Sequence, residues 1–236
     1  MSQPDHDSTA PEHYFTAKPA SAEELRTLAV RLAGREVEVE VASGVFSPGG
    51  VDKGTRVLLQ EVPAPPQEGN LLDLGCGWGP LALTMALEAP AATVWAVDVN
   101  ERALDLVRRS AARLGLTNVQ AATPDMVPPG TTFAAIWSNP PIRVGKLVLH
   151  TMLERWLPQL EGDAEAWLVV QKNLGSDSLA RWITETLDLP VERKTSSKGF
   201  RVLRVSHRAH SMPGRAPASG PGTPPGATDQ RATSPE

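Results

Sequence analysis

From residue 71 onward, short apolar runs alternate with longer stretches of helical period. Residues 71–74, 94–97, 119–122, 134–137 and 166–170 are mostly apolar runs of four or five residues bounded by Gly, Pro, Asn or Asp, as buried strands are. A helix is predicted over 80–88, opening with Pro80 at the first helical position, where the missing N–H costs nothing. A second is predicted over 101–114, capped by Asn100 and ended by Gly115. Residues 147–157 and 178–187 continue the alternation, and 191–194 with 200–205 read as a closing antiparallel hairpin. Ahead of all this, residues 36–41 alternate charged and apolar side chains, as a half-exposed strand should. Strands alternating with helices predict an α/β fold, a mostly parallel sheet with helices on both faces.

The ends break the pattern. Residues 209–236 hold six prolines and four glycines and no Leu, Ile, Val, Phe, Trp or Tyr, so they cannot bury enough surface to offset their ordering entropy. They are expected to be a disordered tail, residues 1–12 likewise, which leaves 13–208 for one domain. Hydrophobic residues at 41% and charged residues at 21% suit a globular core, and a net charge of −4 excludes a uniformly basic coat for nucleic acid. Any polyanion must therefore meet a local patch. The single cysteine, Cys76, excludes an intrachain disulfide and a cysteine zinc cage and suits a reducing compartment. Residues 1–11 lack the basic start and apolar stretch of a secretory signal, and no uncharged apolar run approaches the roughly 20 residues that cross a bilayer. A cytoplasmic, monomeric protein with no membrane contact is expected. His6, His13, His150, His207 and His210 show no metal-ligand spacing, so no metal is expected either.

Three motifs carry chemistry, each at the end of a predicted strand. Leu71-Leu72-Asp73-Leu74-Gly75-Cys76-Gly77-Trp78-Gly79-Pro80 runs from strand through a Gly-rich turn into helix. Glycines at 75, 77 and 79 let a ligand approach the backbone with no Cβ in the way, and the turn would lie at the carboxyl edge of the sheet, where ligands bind. Pro80 stands where the dinucleotide fingerprint GxGxxG needs a small residue, which disfavours a dehydrogenase. Cys76 reads as a small buried filler, and Trp78 as a possible edge of the site. Asp98 ends the next strand 23 residues after Gly75. It can accept from both hydroxyls of a ribose, or serve as an ordinary strand-end residue. Asp125, after the third strand, is placed to meet an adenine amino group, though its flanking prolines also suit a plain loop.

The third motif is Ser138-Asn139-Pro140-Pro141-Ile142. Two prolines stiffen the backbone, so the Asn139 side-chain oxygen and the Pro140 carbonyl can be aimed at one exocyclic NH₂ group. An aromatic amine is a poor nucleophile because its lone pair is delocalised into the ring. Two acceptors on its hydrogens favour the more tetrahedral form that attacks. Farther on, residues 193–208 contain Arg193, Lys194, Lys198, Arg201, Arg204 and Arg208 and no acid. With Arg143 and Lys146 they make either a positive rim for a phosphate backbone or a solvated face balancing acids elsewhere.

In their order, the Gly turn, Asp98 and Asn139-Pro140-Pro141-Ile142 resemble class I S-adenosylmethionine-dependent methyltransferases that modify exocyclic nitrogens. Gly44-Val45-Phe46-Ser47, Asp52-Lys53-Gly54-Thr55-Arg56-Val57-Leu58-Leu59, Arg143-Val144-Gly145-Lys146 and Val170-Gln171-Lys172-Asn173 are similar to the small-domain family of bacterial ribosomal RNA guanine-N2 methyltransferases, and His13-Tyr14-Phe15 to the entry segment of its single-domain members. The resemblance covers about residues 13–206. It implies a Rossmann-like fold with a seven-stranded sheet, S-adenosylmethionine as methyl donor, and guanine N2 of 16S ribosomal RNA, free or in the small ribosomal subunit, as acceptor. It places Asp73, Gly75, Cys76, Gly77, Gly79, Asp98, Asp125 and Asn139 at the donor and Asn139, Pro140, Pro141 and Ile142 at the reacting amine. Phe46, Arg143, Lys146, Lys172, Phe200 and Arg201 would hold the RNA. The chain departs from the pattern at Ile142, where many relatives carry an aromatic ring that stacks on the base, and at Asn173, where Lys is common. Phe46 or Phe200 would then have to hold the base, or the base is held loosely. A protein glutamine amide or adenine N6 remain alternative acceptors, and a non-catalytic donor-binding RNA scaffold remains an alternative role.

Overall fold

The computed structural model describes residues 25–45 and 47–207. The two expected tails, the expected domain start at His13, Phe46 and Arg208 lie outside the described residues. The chain runs through β1 (Leu25–Leu32), β2 (Arg35–Ala42), α1 (Lys53–Glu61), β3 (Asn70–Leu74), α2 (Pro80–Glu88), β4 (Thr93–Val97) and α3 (Glu101–Arg113). It continues through β5 (Val119–Ala122), β6 (Phe133–Ser138), α4 (Lys146–Trp156), β7 (Leu160–Gln171), α5 (Ser176–Leu187), β8 (Val191–Ser197) and β9 (Phe200–Ser206).

Seven strands form one sheet in the order β5-β4-β3-β6-β7-β9-β8. The first five are parallel, and β9 lies antiparallel between β7 and β8, closing the sheet with the expected hairpin. This is the Rossmann-like class I methyltransferase arrangement. Successive residues of β3 serve opposite faces. Leu72 and Leu74 pack with Leu149 and Leu153 of α4 and Leu179 and Ile183 of α5. Leu71 packs on the other side with Val57 and Leu58 of α1, Leu81 and Met85 of α2, and Leu104 and Val107 of α3. Leu71 and Leu72 are both fully buried, and each contributes about 1.5–3 kcal/mol.

Two elements are not announced by the hydrophobic pattern. The first is β1, which pairs with β2 through a two-residue turn at Ala33 and Gly34. Both turn residues have positive φ, 48° and 73°, as a type I′ hairpin requires. This hairpin is separate from the main sheet and packs Leu32, Val39 and Val41 on Leu83 of α2 and Leu106 of α3, burying Trp78 with them. The second is α1, only nine residues long with glycine at its second position. It is held by its cap, the Asp52 carboxylate accepting from the Gly54 and Thr55 amides. β7 also begins earlier than expected, because the polar residues 161–163 hide a strand that pairs Leu160 with Phe133.

What positions the site is the reversal of strand order. From β3 the chain adds β4 and β5 on one side, then crosses back to lay β6 on the other. The turns after β3 and β6 therefore face each other across the crevice at the carboxyl edge, the switch point of an open α/β sheet.

Candidate active site

The Gly turn is tied down by β4. The amides of Gly75 and Cys76 both donate to the Val97 carbonyl, at 2.8 and 3.0 Å. Gly77 then turns with φ 55° and donates its amide to Oδ2 of Asp98 at 2.9 Å, while Oδ1 of Asp98 accepts from the Asn100 amide at 2.9 Å. Asp98, 8% exposed, thus stands beside the turn as expected, and burial raises its pKa. Gly79, at φ 89°, admits no larger residue, because a Cβ there would lie 2.8 Å from Val107 Cγ2.

Asp73, at the floor of the crevice, is 1% exposed. Its Oδ2 accepts from the Ala82 amide in the first turn of α2 at 2.8 Å, and its Oδ1 has no hydrogen-bond partner among the described residues. Burial pushes its pKa up to about 8, against the relief from the Ala82 amide and with a smaller contribution from Asp98. Burial, reinforced by both aspartates, also holds the Cys76 thiol well above its usual value, so it is neutral filler rather than a nucleophile.

Across the crevice, Ser138 Oγ donates to the Leu74 carbonyl at 2.7 Å and staples the end of β6 to the end of β3. Pro141 sits against the Gly turn, its Cδ 3.7 Å from where a Cβ on Gly75 would lie. The Pro140 carbonyl accepts from the Ile142 amide at 2.8 Å, which pins its direction and leaves one lone pair. The Asn139 amide nitrogen donates to Asp52 Oδ2 at 3.0 Å and to Thr55 Oγ1 at 3.1 Å. Asp52 and Thr55 stand in the segment 52–59 that carries the family resemblance, but the sequence analysis gave them no place in the crevice. The signal that locates them is an Asp capping residue two positions before Gly54 and three before Thr55. One crevice is lined by Asp52, Thr55, Asp73, Gly75, Cys76, Gly77 and Asn139, with the buried Trp78 also in its lining.

Other expected residues are not gathered there. Asp125 lies in a 3₁₀ turn, its side chain 91% exposed and paired with Arg155 at 3.3 Å, and lines a separate cavity of about 220 Å³ with Pro128 and Trp156. Ile142 packs half-buried on the core beneath α4. Phe200 is half-buried against α1, its Cε1 2.9 Å from where a Cβ on Gly54 would lie, and thus borders the capping turn of Asp52. Phe46 lies outside the described residues, and the side chain of Arg143 is likewise not described.

The expected basic rim is largely neutralised. Arg201 and Arg193 both pair with Asp177 of α5, Arg204 pairs with Glu165 of β7 and Glu192 of β8, and Lys194 pairs with Glu192. The segment counts as basic along the chain, but the acids that balance it come mostly from neighbouring elements. Exposed cations with no acid partner among the described residues include Lys53 and Arg56 on α1, Lys146 on α4, Lys172 and Lys198, besides Arg26, Arg31 and Arg35 of the β1–β2 hairpin and Arg181 of α5. The Lys172 amide donates to the Gly199 carbonyl at 2.8 Å and Gly54 abuts Phe200, so the chain at Lys53, Lys172 and Lys198 passes through neighbouring turns.

The donor set is all oxygen acceptors and bare glycine backbone. An orphaned buried carboxylate oxygen suits a cationic amine, and the Asp98 carboxylate suits hydroxyl donors. These residues fit the amino-acid and nucleoside ends of S-adenosylmethionine. Among the described residues no cluster of three or more His, Cys, Asp or Glu could hold a metal ion, and no helix is long and apolar enough to cross a membrane.

Comparison with known proteins gives the family. The chain is 37% identical over 197 residues to the uncharacterized protein YbxB of Bacillus subtilis, covering 82% of this chain and 98% of that one. It is 32% identical over 184 residues to ribosomal RNA small subunit methyltransferase C of Stutzerimonas stutzeri, covering 76% of this chain and 54% of the relative, so it spans about half the length of that enzyme. Among solved structures, the 16S rRNA N2 methyltransferase RsmC of T. thermophilus, in complex with AdoMet and guanosine, superposes with a TM-score of 0.69 at 23% identity, over 80% of this chain and 52% of that one. The model of the methyltransferase small domain matches residues 36–204, and the chain belongs to the methyltransferase small-domain family.

Proposed function

We propose that the protein transfers a methyl group from S-adenosylmethionine to an exocyclic amine, and that the amine is guanine N2 in 16S ribosomal RNA. The observation that carries this reading is the meeting, in one crevice, of the unpartnered Asp73 oxygen and the bare Gly turn with Asn139, whose amide oxygen remains free to accept. The orphan oxygen of Asp73 would take the ammonium of the donor's amino-acid end. Asp98 would take the ribose hydroxyls, and Gly75 and Gly77 would let the donor lie against the backbone. When bound, the donor supplies an electrophilic methyl on a sulfonium. Asn139 Oδ1 and the remaining lone pair of the Pro140 carbonyl would accept the two hydrogens of the NH₂ group, directing its lone pair at that methyl. The nitrogen would gain the methyl as the methyl–sulfur bond breaks, the sulfur keeping the electron pair as a neutral thioether, and would give up a proton to solvent. The side chains that face the crevice thus need only to orient, and no metal or covalent nucleophile is required.

Guanine is favoured over other amines by the relatives that act on small-subunit ribosomal RNA. Lys53, Arg56, Lys146, Lys172 and Lys198 would meet the RNA backbone, in place of the paired arginines of the closing hairpin. The test is to incubate the full chain with labelled donor and, separately, small ribosomal subunits, protein-free 16S RNA, total RNA and a protein fraction, then identify the product by mass spectrometry. N2-methylguanosine is expected. N6-methyladenosine or methylglutamine would overturn the acceptor while keeping the methyl transfer, and no transfer to any pool would overturn the enzymatic reading.

A further inference from the structure

We propose that Asp52 and Thr55 are positioning residues that fix which end of the Asn139 amide faces the acceptor; this rests on the amine-transfer reading above. A side-chain amide has two nearly isosteric ends, and only the oxygen can accept from an amine. A carboxylate can only accept, so the end of Asn139 that faces Asp52 must be the nitrogen. The nitrogen has two hydrogens, and both are used, one on Asp52 Oδ2 at 3.0 Å and one on Thr55 Oγ1 at 3.1 Å. The oxygen is the end left for the crevice. Asp52 is itself held, its Oδ1 accepting from Gly54 N at 2.7 Å and both of its oxygens lying within 3.4 Å of Thr55 N. Thr55 is 3% exposed. The cap of α1 is therefore also the clamp on the reacting loop, 87 residues away along the chain.

The electrostatics run in the same direction. A carboxylate on the amide hydrogens polarises the group and enriches its oxygen in negative charge. That oxygen faces an amine that gains positive character as the new bond to carbon forms, so the polarisation stabilises the transition state more than the ground state. The clamp also makes the site selective for a hydrogen-bond donor, and an acceptor atom at the same place would meet oxygen against oxygen.

The substitution Asp52→Asn separates this role from the cap. Asn caps helices about as well as Asp, so α1 is retained. Its oxygen is then taken by the Gly54 and Thr55 amides, and its NH₂ end confronts the NH₂ of Asn139. Relief comes from a flip of Asn139, which turns its nitrogen toward the acceptor. We expect Asp52→Asn to lower kcat about 100-fold, with unchanged donor affinity and KM and a melting temperature close to that of the wild type. Thr55→Val, which removes one acceptor without changing shape, is expected to lower kcat about 10-fold. The double variant Asp52→Asn, Asn139→Ala should be no slower than Asn139→Ala alone, because Asp52 acts only through Asn139. Wild-type kcat in Asp52→Asn, or additive losses in the double variant, would overturn the proposal. An arm that needs no acceptor is hydrogen exchange of the Asn139 side-chain NH₂ followed by ¹⁵N NMR. Slow exchange in the wild type and fast exchange in Asp52→Asn supports the clamp, and equal rates overturn it even if no amine substrate is ever found. Protected amide protons with no methyl transfer to any acceptor would leave the clamp standing and sink the enzymatic reading instead.

Discussion

The two walls of the crevice are built by different means. On the donor wall, the Gly turn is held mainly from the neighbouring strand and the following helix, Gly75 and Cys76 bonding to Val97, Gly77 to Asp98 and Asp73 to Ala82, with Gly79 bonding back to Cys76 inside the turn. On the acceptor wall, Asn139 is held by Asp52 and Thr55 from a helix far away in sequence, and Lys172 and Lys198 are brought together by a backbone bond between two turns. The donor wall is thus a product of strand order and can exist wherever β3 and β4 pair. The acceptor wall needs α1 seated on β7 and β9. If that difference is functional, damage to one wall should leave the other working.

The largest effect is expected at Asn139. Replacing it with Ala removes the acceptor aimed at the amine but touches nothing on the donor wall, so kcat should fall by about 100- to 1,000-fold with donor affinity intact. Single-turnover methylation beside calorimetric titration of the donor measures both. Comparable losses in the two would mean that the loop after β6 also shapes the donor wall, and the division would fail.

Asp98→Ala is the reciprocal case. It removes a charged acceptor for the ribose, and such hydrogen bonds contribute about 1.5–3 kcal/mol, or about 10- to 100-fold in donor affinity. The rate at saturating donor should change much less. Because Asp98 also accepts from Gly77 and Asn100, circular dichroism must show an intact fold before the affinity is interpreted. Donor binding equal to that of the wild type would remove Asp98 from the site.

The same contrast governs what can be read from the chain alone. The Gly turn, Asp98 and the capped start of α3 are local signals, each carried within one strand-turn-helix unit, and the structure reproduces them. The Asn-Pro-Pro loop is local too, but what orients Asn139 is not. Asp52 caps and Thr55 lies in the first turn of a nine-residue helix, and nothing in the spacing between 52 and 139 marks them as neighbours of Asn139. Charge fails for a similar reason. Arg201 and Arg204 stand in a run without acids, yet Asp177 and Glu165 reach them from α5 and β7. A one-dimensional count sees density of charge, whereas attraction for RNA depends on charge left unpaired.

That distinction can be tested at smaller amplitude. Lys53→Glu or Lys172→Glu should weaken binding to the small ribosomal subunit about 3- to 10-fold and reduce the dependence of log K on log salt by about one unit for each phosphate no longer neutralised. Arg204→Glu should leave the salt dependence nearly unchanged, since that guanidinium already faces Glu165 and Glu192. Titration by fluorescence anisotropy at several salt concentrations separates the two groups. A steeper loss at Arg204 than at Lys53 would restore the closing hairpin as the RNA face.

The smallest effect is expected in stability, and it concerns the one group on the donor wall whose local structure works against it. Asp73 is buried, with one oxygen unpartnered and its pKa pushed up to about 8 from 3.8. A group whose folded pKa is raised adds stability below its unfolded pKa and loses it as pH rises through the folded value, so this aspartate destabilises the ligand-free protein progressively between about pH 4 and pH 8. Asp73→Asn removes the titration and keeps an oxygen for the Ala82 amide, but turns an NH₂ group toward the crevice where an acceptor stood. The variant should melt close to the wild type near pH 4 and a few degrees above it at pH 8, while binding the donor more weakly. Differential scanning calorimetry of both proteins across that range isolates this group, because the other carboxylates are common to the pair. A difference in melting temperature that does not change with pH would show that burial does not raise the pKa of Asp73. Such a carboxyl would ionise as freely as in the unfolded chain, and the donor's ammonium would relieve no desolvated charge there, so the donor wall would lose its electrostatic distinction while the acceptor wall kept its own.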